Sequence, residues 1–312
     1  MSKINYAAID IGSNAVRLLI KSIDPEVESP AFNKEQLLRV PLRLGEDTFS
    51  KGEISERKGK KLHRLIKAYR QLIKIYEVKN YRACATSAVR DAANGKELIK
   101  SISRKTGIRI EIINGEEEAR LIYDNHIEEI LDKNTNYIYV DVGGGSTEIS
   151  LISEGKLKNS RSYNIGTVRL LEGTVKKNTT ARFRRDLTKF ATLYPELRII
   201  GSGGNINKLF RLADISTPNN IELPVEKLKK INETLKSFNT EERIQKFSLR
   251  PDRADVITHA ADIFLEVATH AAAKMILVPT IGLVDGIIDN LYAQDIKQEE
   301  TNEGNLQKTS IP

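Results

Sequence analysis

Short apolar runs separated by glycine-containing turns characterise the first part of the chain. The runs predicted to be strands are residues 4–9, 15–23, 36–41, 81–84 and 108–113. The first two flank a short turn at residues 10–14 and predict a β-hairpin. Apolar residues recur at helical spacing over 54–76, which predicts an amphipathic helix packed on this sheet, and further helices are expected to begin near 87 and 116.

The same order of elements begins again at residue 137. Its strands are expected at 137–141, 147–152, 156–163, 198–200 and 276–278, and its helices at 205–212, 254–272 and 283–293. A β-β-β-α-β-α-β pattern therefore occurs twice, which predicts an α/β protein of two related domains. We place these domains at 1–126 and 127–293, with a helical insertion at 213–250, and expect a disordered polar tail over 294–312.

Composition narrows the class of protein. The chain has 312 residues, 40% of them hydrophobic, and no apolar run approaches the roughly 20 residues needed to span a bilayer. The N-terminus lacks the apolar core of a signal peptide, so we expect a cytoplasmic protein with no membrane partner. Cys84 is the single cysteine and there are four histidines, which excludes an internal disulfide and favours oxygen ligands for any metal.

Positive charge is concentrated in one segment. The net charge is +7, and residues 153–190 alone hold ten Lys or Arg against three acids. Such a segment is either a solvated helical face or a surface that attracts a polyanion. Because no aromatic-rich RNA motif interleaves the charge, polyphosphate or a nucleotide is a better expectation than nucleic acid.

Each half opens with a strand that ends in an aspartate and is followed by a glycine turn. Glycine lets the backbone approach a phosphate closely, and successive N–H groups in such a turn form an anion-binding concavity. Single glycine turns often only join hairpin strands, but two matched turns favour phosphate binding. The residues we expect at the phosphate are Gly12, Ser13, Asn14 and Arg17 in the first half and Gly144, Gly145, Ser146 and Thr147 in the second.

The aspartates of these two turns require a cation, because a carboxylate beside a phosphate is unfavourable without one. Mg²⁺ prefers one or two carboxylates together with waters and substrate phosphates. We therefore expect Asp141 and Glu148 to hold Mg²⁺, with Asp10 contributing through water.

Two further motifs are predicted at strand-to-helix junctions. Thr86 or Ser87 would cap a helix that carries Arg90, and helix N–H groups with a guanidinium suit a phosphate, although an ordinary cap with a surface arginine is the alternative. In the other motif, Glu117 and Glu118 project about 100° apart on a helix, so one of them faces the cleft. We choose Glu118 to orient the attacking water, and take Arg90 and Glu148 as its catalytic partners.

Four motifs resemble the exopolyphosphatase and guanosine pentaphosphate phosphohydrolase family, within the actin-like ATPase superfamily. They are residues 10–18 (DIGSNAVRL), 85–92 (ATSAVRDA), 115–123 (GEEEARLIY) and 141–148 (DVGGGSTE), with weaker similarity at 44–46, 201–204 and 250–255. The resemblance implies two ribonuclease-H-like domains flanking a cleft, Mg²⁺, and water attack on a terminal phosphate. It also implies that Glu118 is the catalytic base, that Arg90 binds substrate, and that Gly203 and Gly204 contact phosphate.

The chain departs from the family pattern near its C-terminus. A glycine-leucine-arginine segment is usual there, whereas this chain has Gly282, Leu283 and Val284, and His259 stands where a proline is common. The chain also ends before the C-terminal helical domain of longer members. We therefore expect no phosphate contact at Gly282–Val284, and the short form of the chain suggests a shorter polyphosphate channel or a preference for smaller substrates.

Our leading hypothesis is an exopolyphosphatase that also acts on guanosine pentaphosphate, as a homodimer. One alternative is an ATP-dependent kinase or ATPase of the same superfamily, with an adenosine pocket around residues 201–205. Another is a protein without catalytic activity that binds polyanions or alarmones. Phosphate release from long polyphosphate but not from ATP would reject the kinase.

Overall fold

Two mixed β-sheets form the centre of the molecule. The computed structural model describes residues 3–25, 31–123, 132–214, 221–279 and 282–308, except for the side chains of 122–123 and 299–308. The strands of the first sheet are β1 (Ile4–Ile11), β2 (Val16–Ile23), β3 (Asn33–Val40), β4 (Val78–Ala85) and β5 (Ile110–Ile112). Their order is β3-β2-β1-β4-β5, with β1 antiparallel to β2 and parallel to β4.

The second sheet repeats this plan with one added strand. Its strands are β6 (Tyr137–Val142), β7 (Thr147–Ser153), β8 (Lys156–Tyr163), β9 (Arg198–Ser202), β10 (Glu222–Pro224) and β11 (Met275–Leu277). The order is β10-β11-β9-β6-β7-β8, so β6, β7, β8, β9 and β11 correspond to the five strands of the first sheet in chain order. The predicted α/β fold with a repeated strand pattern is confirmed.

Helices connect the strands and cover the sheets. In the first half they are α1 (Leu44–Lys51), α2 (Glu56–Ile75), α3 (Ser87–Asp91), α4 (Gly95–Thr106) and α5 (Gly115–Tyr123). In the second half they are α6 (Thr167–Leu171), α7 (Lys177–Leu193), α8 (Gly204–Leu212), α9 (Val225–Lys236), α10 (Thr240–Phe247), α11 (Pro251–Ala254), α12 (Ile257–His270) and α13 (Leu283–Lys308). Among the described residues, no helix has the length and apolar character needed to cross a membrane.

Helix α2 shows how the sequence pattern produces the packing. Ser55 caps its N-terminus, because the side-chain oxygen accepts a hydrogen bond from the backbone N–H of Lys58. Leu62, Ile66 and Tyr69, spaced three or four residues apart, are buried against the first sheet. The predicted helix over 54–76 is confirmed to within two residues at each end.

The two halves exchange one helix each. Helix α5 packs on β7 and β8 of the second sheet, whereas α13 packs on β1, β2 and β4 of the first sheet and on α5. A core shared by both sheets results, with buried residues Tyr6, Ala8, Leu19, Cys84, Leu121, Tyr139, Ile200, Ile287, Ile288 and Leu291. Packing of both sheets into one core holds the turns of the two halves opposite each other.

The C-terminal part of the chain differs from the expected tail. Helix α13 continues to Lys308, and Asp295 accepts hydrogen bonds from the Tyr6 hydroxyl (3.0 Å) and from the Asn80 side-chain amide (3.3 Å). The region from 294 therefore begins as helix in contact with the first sheet through Asp295, whereas residues 309–312 of the predicted tail lie outside the described residues. The predicted domain boundary between 126 and 127 lies outside the described residues.

The predicted helix over 254–272 is divided in two. Pro251 occupies the first turn of the short helix α11, which ends at Ala254, and α12 begins at Ile257. Proline is favoured in a first helical turn, because it has no N–H to leave unsatisfied there. The break places Asp252 and Arg253 next to the turn of the first half.

Candidate active site

The turns that join β1 to β2 and β6 to β7 have the same backbone geometry. The N–H of Gly12 donates to the carbonyl of Ala15 at 3.1 Å, and the N–H of Gly143 donates to the carbonyl of Ser146 at 3.0 Å. Both turns open onto one cleft between the halves. The internal repeat predicted from the sequence therefore brings two matched glycine turns to one site.

The two turns touch each other through glycine. A methyl group at Gly145 would lie 2.4 Å from the Ser87 hydroxyl oxygen and 2.8 Å from the Ser13 hydroxyl oxygen, and one at Gly144 would lie 3.0 Å from Ser13 Cβ. Only residues without a side chain allow this approach. Gly145 thus serves the contact between the halves, and it does not line the cleft.

Arg169 of α6 stabilises the same contact from the other side. Its Nε donates to the carbonyl of Gly145 at 2.9 Å, and its Nη2 lies 2.6 Å from the Asp91 carboxylate at the end of α3. The guanidinium stacks on the Phe49 ring, 3.9 Å from its centroid. One arginine therefore joins the second glycine turn to two helices of the first half.

The polar side chains of the first turn already have hydrogen-bond partners within the protein. Ser13 and Ser87 share a hydrogen bond of 2.8 Å between their hydroxyl groups, which leaves one hydroxyl hydrogen of the pair to donate to a ligand. The Asn14 side-chain amide donates to the carbonyl of Asp252 at 2.9 Å. All three predicted side chains, together with Thr86, line the cleft.

The second turn contributes fewer groups than expected. Ser146 and Gly144 line the cleft, but the Thr147 hydroxyl donates to the carbonyl of Ile165 at 2.5 Å, and its side chain is fully buried. Successive residues of a strand point to opposite faces, so Thr147 turns away from the face that Ser146 and Glu148 share. The prediction of a phosphate contact by the Thr147 side chain is not supported by this geometry.

Opposite residues of the two hairpins explain why the halves differ chemically. In the first, Asp10 pairs across the strands with Arg17, and their charged groups lie 2.7 Å apart. At the equivalent position of the second, Asp141 pairs with Glu148. Like charges directly opposite each other in a sheet are destabilising. The second hairpin therefore sets two carboxylates opposite each other, whereas the first pairs a carboxylate with a guanidinium.

Glu118 lies close to this pair of carboxylates. It lines the cleft with only 8% of its surface exposed, while Glu117 points outward and pairs with Arg82. Burial and the neighbouring Glu148 charge raise the pKa of Glu118 well above its usual value. Among the described residues, the Oε2 atoms of Glu118 and Glu148 have no hydrogen-bond partner.

The pKa values of the other carboxylates near Glu118 are also raised. Burial, opposed by the charge of Arg17, raises the pKa of Asp141 to about 6. Burial and the Asp141 charge raise the pKa of Glu148 to about 7, although the Ser162 hydroxyl donates to Glu148 at 2.7 Å. Burial also raises the pKa of Asp10, despite its pairing with Arg17.

Arg90 lies behind Glu118 and does not line the cleft. Its Nη1 donates to the carbonyl of Ile113 at 2.8 Å and lies 3.8 Å from the Glu118 Oε2 atom. At that distance it lowers the energy of the ionised Glu118 without a hydrogen bond. The geometry favours a role in supporting Glu118, in place of the predicted direct contact with substrate.

Gly203 and Gly204 line the cleft at the start of α8. Gly203 has φ 106°, a conformation that favours glycine, and a methyl group there would lie 3.0 Å from an Asp141 carboxylate oxygen. The two glycines thus form the wall beside Asp141, and they belong to a segment whose motif similarity is weak.

Cations that were not singled out from the sequence also line the cleft. They are Lys34, Arg39, Arg211 and Arg253. Arg39 lies opposite Arg17 in the register of β2 and β3 and pairs with Asp252. Burial and the charge of Arg39 lower the pKa of Arg253 to about 10. Alternation along β3 could have predicted that Arg39 shares a face with Leu37. The position of Arg253 depends on how the two halves pack and could not be predicted from local pattern.

The basic segment 153–190 contributes no cation to this cleft among the described residues. Arg184 pairs with Glu266, and Arg161 pairs with Asp186. The solvated-face interpretation therefore describes this segment better than a surface within the active cleft.

Comparison with known proteins identifies the family. Residues 36–294 match the profile of the Ppx/GppA phosphatase family. The chain belongs to this family. The family resemblance seen in the four sequence motifs is confirmed, and with it the expected class of enzyme.

Curated relatives of this Ppx/GppA protein carry several names. Exopolyphosphatase 2 of Mycobacterium tuberculosis is 26% identical over 314 residues, which cover 92% of this chain and 98% of that protein. The bifunctional 3-dehydroquinate synthase/phosphatase of Fusobacterium nucleatum is 35% identical over 170 residues, but the match covers 53% of this chain and 26% of that protein. The guanosine-5'-triphosphate,3'-diphosphate pyrophosphatase of Aliivibrio fischeri is 26% identical, with 94% of this chain and 61% of that protein covered.

Solved structures of the Ppx/GppA family share the fold. The family member of Aquifex aeolicus is 28% identical with a TM-score of 0.75, covering 94% of this chain and 99% of that chain. An exopolyphosphatase of Cytophaga hutchinsonii has a TM-score of 0.78 at 22% identity, and the match covers 90% of this chain and 96% of that chain. The expected fold class is thus confirmed independently of the sequence motifs.

Proposed function

We propose that this Ppx/GppA protein hydrolyses the terminal phosphoanhydride bond of inorganic polyphosphate, and of guanosine pentaphosphate as a second substrate. The observation that carries the proposal is Glu118, a buried carboxylate that faces the cleft between two phosphate-sized glycine turns. The names of the relatives from Mycobacterium tuberculosis and Aliivibrio fischeri support the two substrates. A homodimer in the cytoplasm stays a prediction.

The acidic cluster fits a Mg²⁺ ion. Unpartnered carboxylate oxygens on Glu118 and Glu148, with raised pKa values, are what an oxygen-binding cation would stabilise. No group of three His, Cys, Asp or Glu side chains among the described residues forms a ready metal cluster, so waters and substrate would complete the shell. Asp141 and Glu148 would hold the ion, which would neutralise phosphate charge, and Asp10 is left to Arg17.

The remaining steps, which are phosphate binding and activation of water, are assigned to residues of the two turns and to Glu118. The backbone N–H groups of Ser13 and Gly144, together with the hydroxyl hydrogen that the Ser13–Ser87 pair leaves over, bind the terminal phosphate, because the N–H groups of Gly12 and Gly143 donate within their own turns. Glu118 orients a water in line with the anhydride bond and accepts its proton as the new P–O bond forms. The bond to the shorter chain then breaks, which releases orthophosphate. Positioning dominates such phosphoryl transfers, so Glu118 acts mainly by holding the water.

Phosphate release from polyphosphate and guanosine pentaphosphate, in the presence of Mg²⁺, tests the proposal. We expect Glu118→Gln to lower kcat by about 10²-fold or more with KM little changed, because the neutral amide holds the attacking water more weakly and cannot accept its proton. The matched control is Glu117→Gln, since Glu117 is the adjacent residue but faces Arg82 outside the cleft. Equal rates for the two variants would remove Glu118 from this role.

A further inference from the structure

Four polar residues form one row across neighbouring strands of the second sheet. Asp141 of β6 and Glu148 of β7 lie opposite each other at the centre of this row. Ser202 of β9 lies opposite Asp141 at one end, and Ser162 of β8 lies opposite Glu148 at the other. Residues directly opposite each other share a face of the sheet and are close enough to interact. Each carboxylate of the pair therefore has a serine hydroxyl group on its outer side.

The equivalent row of the first sheet has no hydroxyl group. There Cys84 lies opposite Asp10, Asp10 lies opposite Arg17, and Arg17 lies opposite Arg39. In the order of the strands, Arg39 takes the place that Ser162 has in the second sheet. Serine thus accompanies the pair of carboxylates, whereas arginine accompanies the single carboxylate.

Ser162 holds one of the two carboxylate oxygens of Glu148. Its hydroxyl donates to Oε1 at 2.7 Å, while Oε2 has no hydrogen-bond partner among the described residues, although Glu148 is almost fully buried. A hydrogen bond from Ser146 also reaches this carboxylate, but Ser146 lines the cleft and Ser162 does not. Substrate in the cleft therefore does not compete for the Ser162 hydroxyl. Oε2 is the oxygen that Glu148 leaves free for a cation.

Helix α5 confines the Ser162 side chain. A methyl group at Gly115, the first residue of α5, would lie 2.2 Å from Ser162 Cβ and 2.4 Å from its hydroxyl oxygen. Only glycine allows the helix to approach so closely. The hydroxyl is therefore held between the start of α5 and Glu148, on the helix that also carries Glu118.

A hydroxyl group fixed on Oε1 affects Mg²⁺ and Ca²⁺ differently. Mg²⁺ demands near-ideal octahedral geometry, and it usually keeps several waters beside one or two carboxylates. Ca²⁺ takes six to eight oxygens in flexible geometry and accepts a carboxylate through one or both oxygens. Binding through both oxygens of Glu148 would compete with the hydrogen bond from Ser162. Binding through Oε2 alone would retain that bond.

Building on the Mg²⁺ site of the proposed function, we propose that Ser162 is a positioning residue that raises the selectivity of this site for Mg²⁺ over Ca²⁺. It presents Oε2 of Glu148 to the cation and withholds Oε1. Partners that orient a metal ligand in this way typically contribute about 10- to 100-fold to metal affinity.

Calorimetric titration with magnesium chloride and with calcium chloride, in the absence of substrate, tests the role of Ser162. We expect Ser162→Ala to raise Kd for Mg²⁺ about tenfold but Kd for Ca²⁺ less than about threefold, because Ca²⁺ gains the released Oε1 atom. The matched control is Ser160→Ala. Ser160 precedes Ser162 by two residues on the same face of β8, and its hydroxyl shares a hydrogen bond of 3.2 Å with Ser150. This control should leave both dissociation constants unchanged.

The ratio of the two dissociation constants separates positioning from a general structural effect. Equal loss of affinity for both cations in Ser162→Ala, or the same constants as in Ser160→Ala, would overturn the role of Ser162. Absence of Mg²⁺ binding to the wild type would overturn it as well.

Phosphate release, measured separately, keeps this role distinct from the proposed function. If neither polyphosphate nor guanosine pentaphosphate is hydrolysed but Ser162→Ala changes the Kd ratio as expected, the hydrolase proposal fails and the role of Ser162 stands. If hydrolysis occurs but the two serine variants have the same Kd ratio, the role of Ser162 fails and the hydrolase proposal stands.

Discussion

Asp141→Asn should make the metal-free protein more stable at alkaline pH. The pKa of Asp141 rises from 3.8 in the unfolded chain to about 6 in the folded protein, because burial outweighs the attraction of Arg17. A raised pKa means that the ionised form is disfavoured by folding. The stability associated with this group is therefore complete below pH 3.8 and is lost as the pH rises through 6.

The size of the effect follows from the shift. About two pKa units correspond to a cost of roughly 3 kcal/mol at pH 8, where Asp141 is ionised in both states, and about 1 kcal/mol at pH 4.5. Asparagine has the same shape without the charge, so the variant should exceed the wild type by at most these amounts. Partial exposure of the side chain to water reduces both figures in proportion.

Urea unfolding followed by circular dichroism at pH 4.5 and pH 8, in EDTA, measures the difference. Mg²⁺ at a concentration about a hundred times its dissociation constant should raise the free energy of unfolding of the wild type by about 2.7 kcal/mol, and that of the variant by much less. Asp186→Asn is a control of opposite sign. Although Asp186 is buried, hydrogen bonds from Tyr163 and Arg161 lower its pKa, so that variant should lose stability at pH 8. An Asp141→Asn protein that is less stable than the wild type at pH 8 without metal would refute the reasoning.

Two further predictions concern the contact between the halves, and a third concerns the basic segment 153–190. Gly145→Ala should lower kcat at least about tenfold, because the added methyl group would lie 2.4 Å from the Ser87 hydroxyl oxygen; unchanged phosphate release would contradict this. Arg169→Met should lower the free energy of unfolding by about 1–2 kcal/mol, since the Gly145 carbonyl loses its donor and the Phe49 ring its cation, and a loss below about 0.5 kcal/mol in urea unfolding would count against it. Arg184→Glu should change KM for long polyphosphate less than about twofold, because Arg184 pairs with Glu266 outside the cleft; a large rise would restore the basic segment as a binding surface.

Local pattern was sufficient for the strands and the glycine turns. The apolar runs and the aspartate-glycine junctions depend on neighbours a few residues apart, and the structure places each predicted strand within three residues of its expected bounds. Alternation along β7 also predicts the direction of the Thr147 side chain. Because Ser146 and Glu148 point to one face of the sheet, Thr147 between them points to the other. The distinction between Glu117 and Glu118 was likewise available, because only one position of a helix turn faces a given neighbour.

Features that depend on distant packing could not be read from the sequence. Arg253 enters the cleft because α11 of the second half lies against the first turn, where Asp252 accepts from Asn14. Arg90 appears from its motif to be a phosphate ligand, yet its Nη1 donates to the carbonyl of Ile113 and lies 3.8 Å from the Glu118 carboxylate, an arrangement that depends on the packing of α5. The opposition of Asp141 and Glu148 required the hairpin register, which places one carboxylate directly across from the other.

The exchange of α5 and α13 between the halves bears on how the protein is made. Until residues 283–291 leave the ribosome, the faces of β1 and β2 that carry Tyr6, Ala8 and Leu19 lack the helix that covers them. A nascent first half therefore exposes an apolar face that stays uncovered until α13 has been synthesised. The same helix supplies Leu283 and Val284 to the cleft. Docking of α13 therefore covers the exposed face of the first sheet and completes the lining of the cleft in one step.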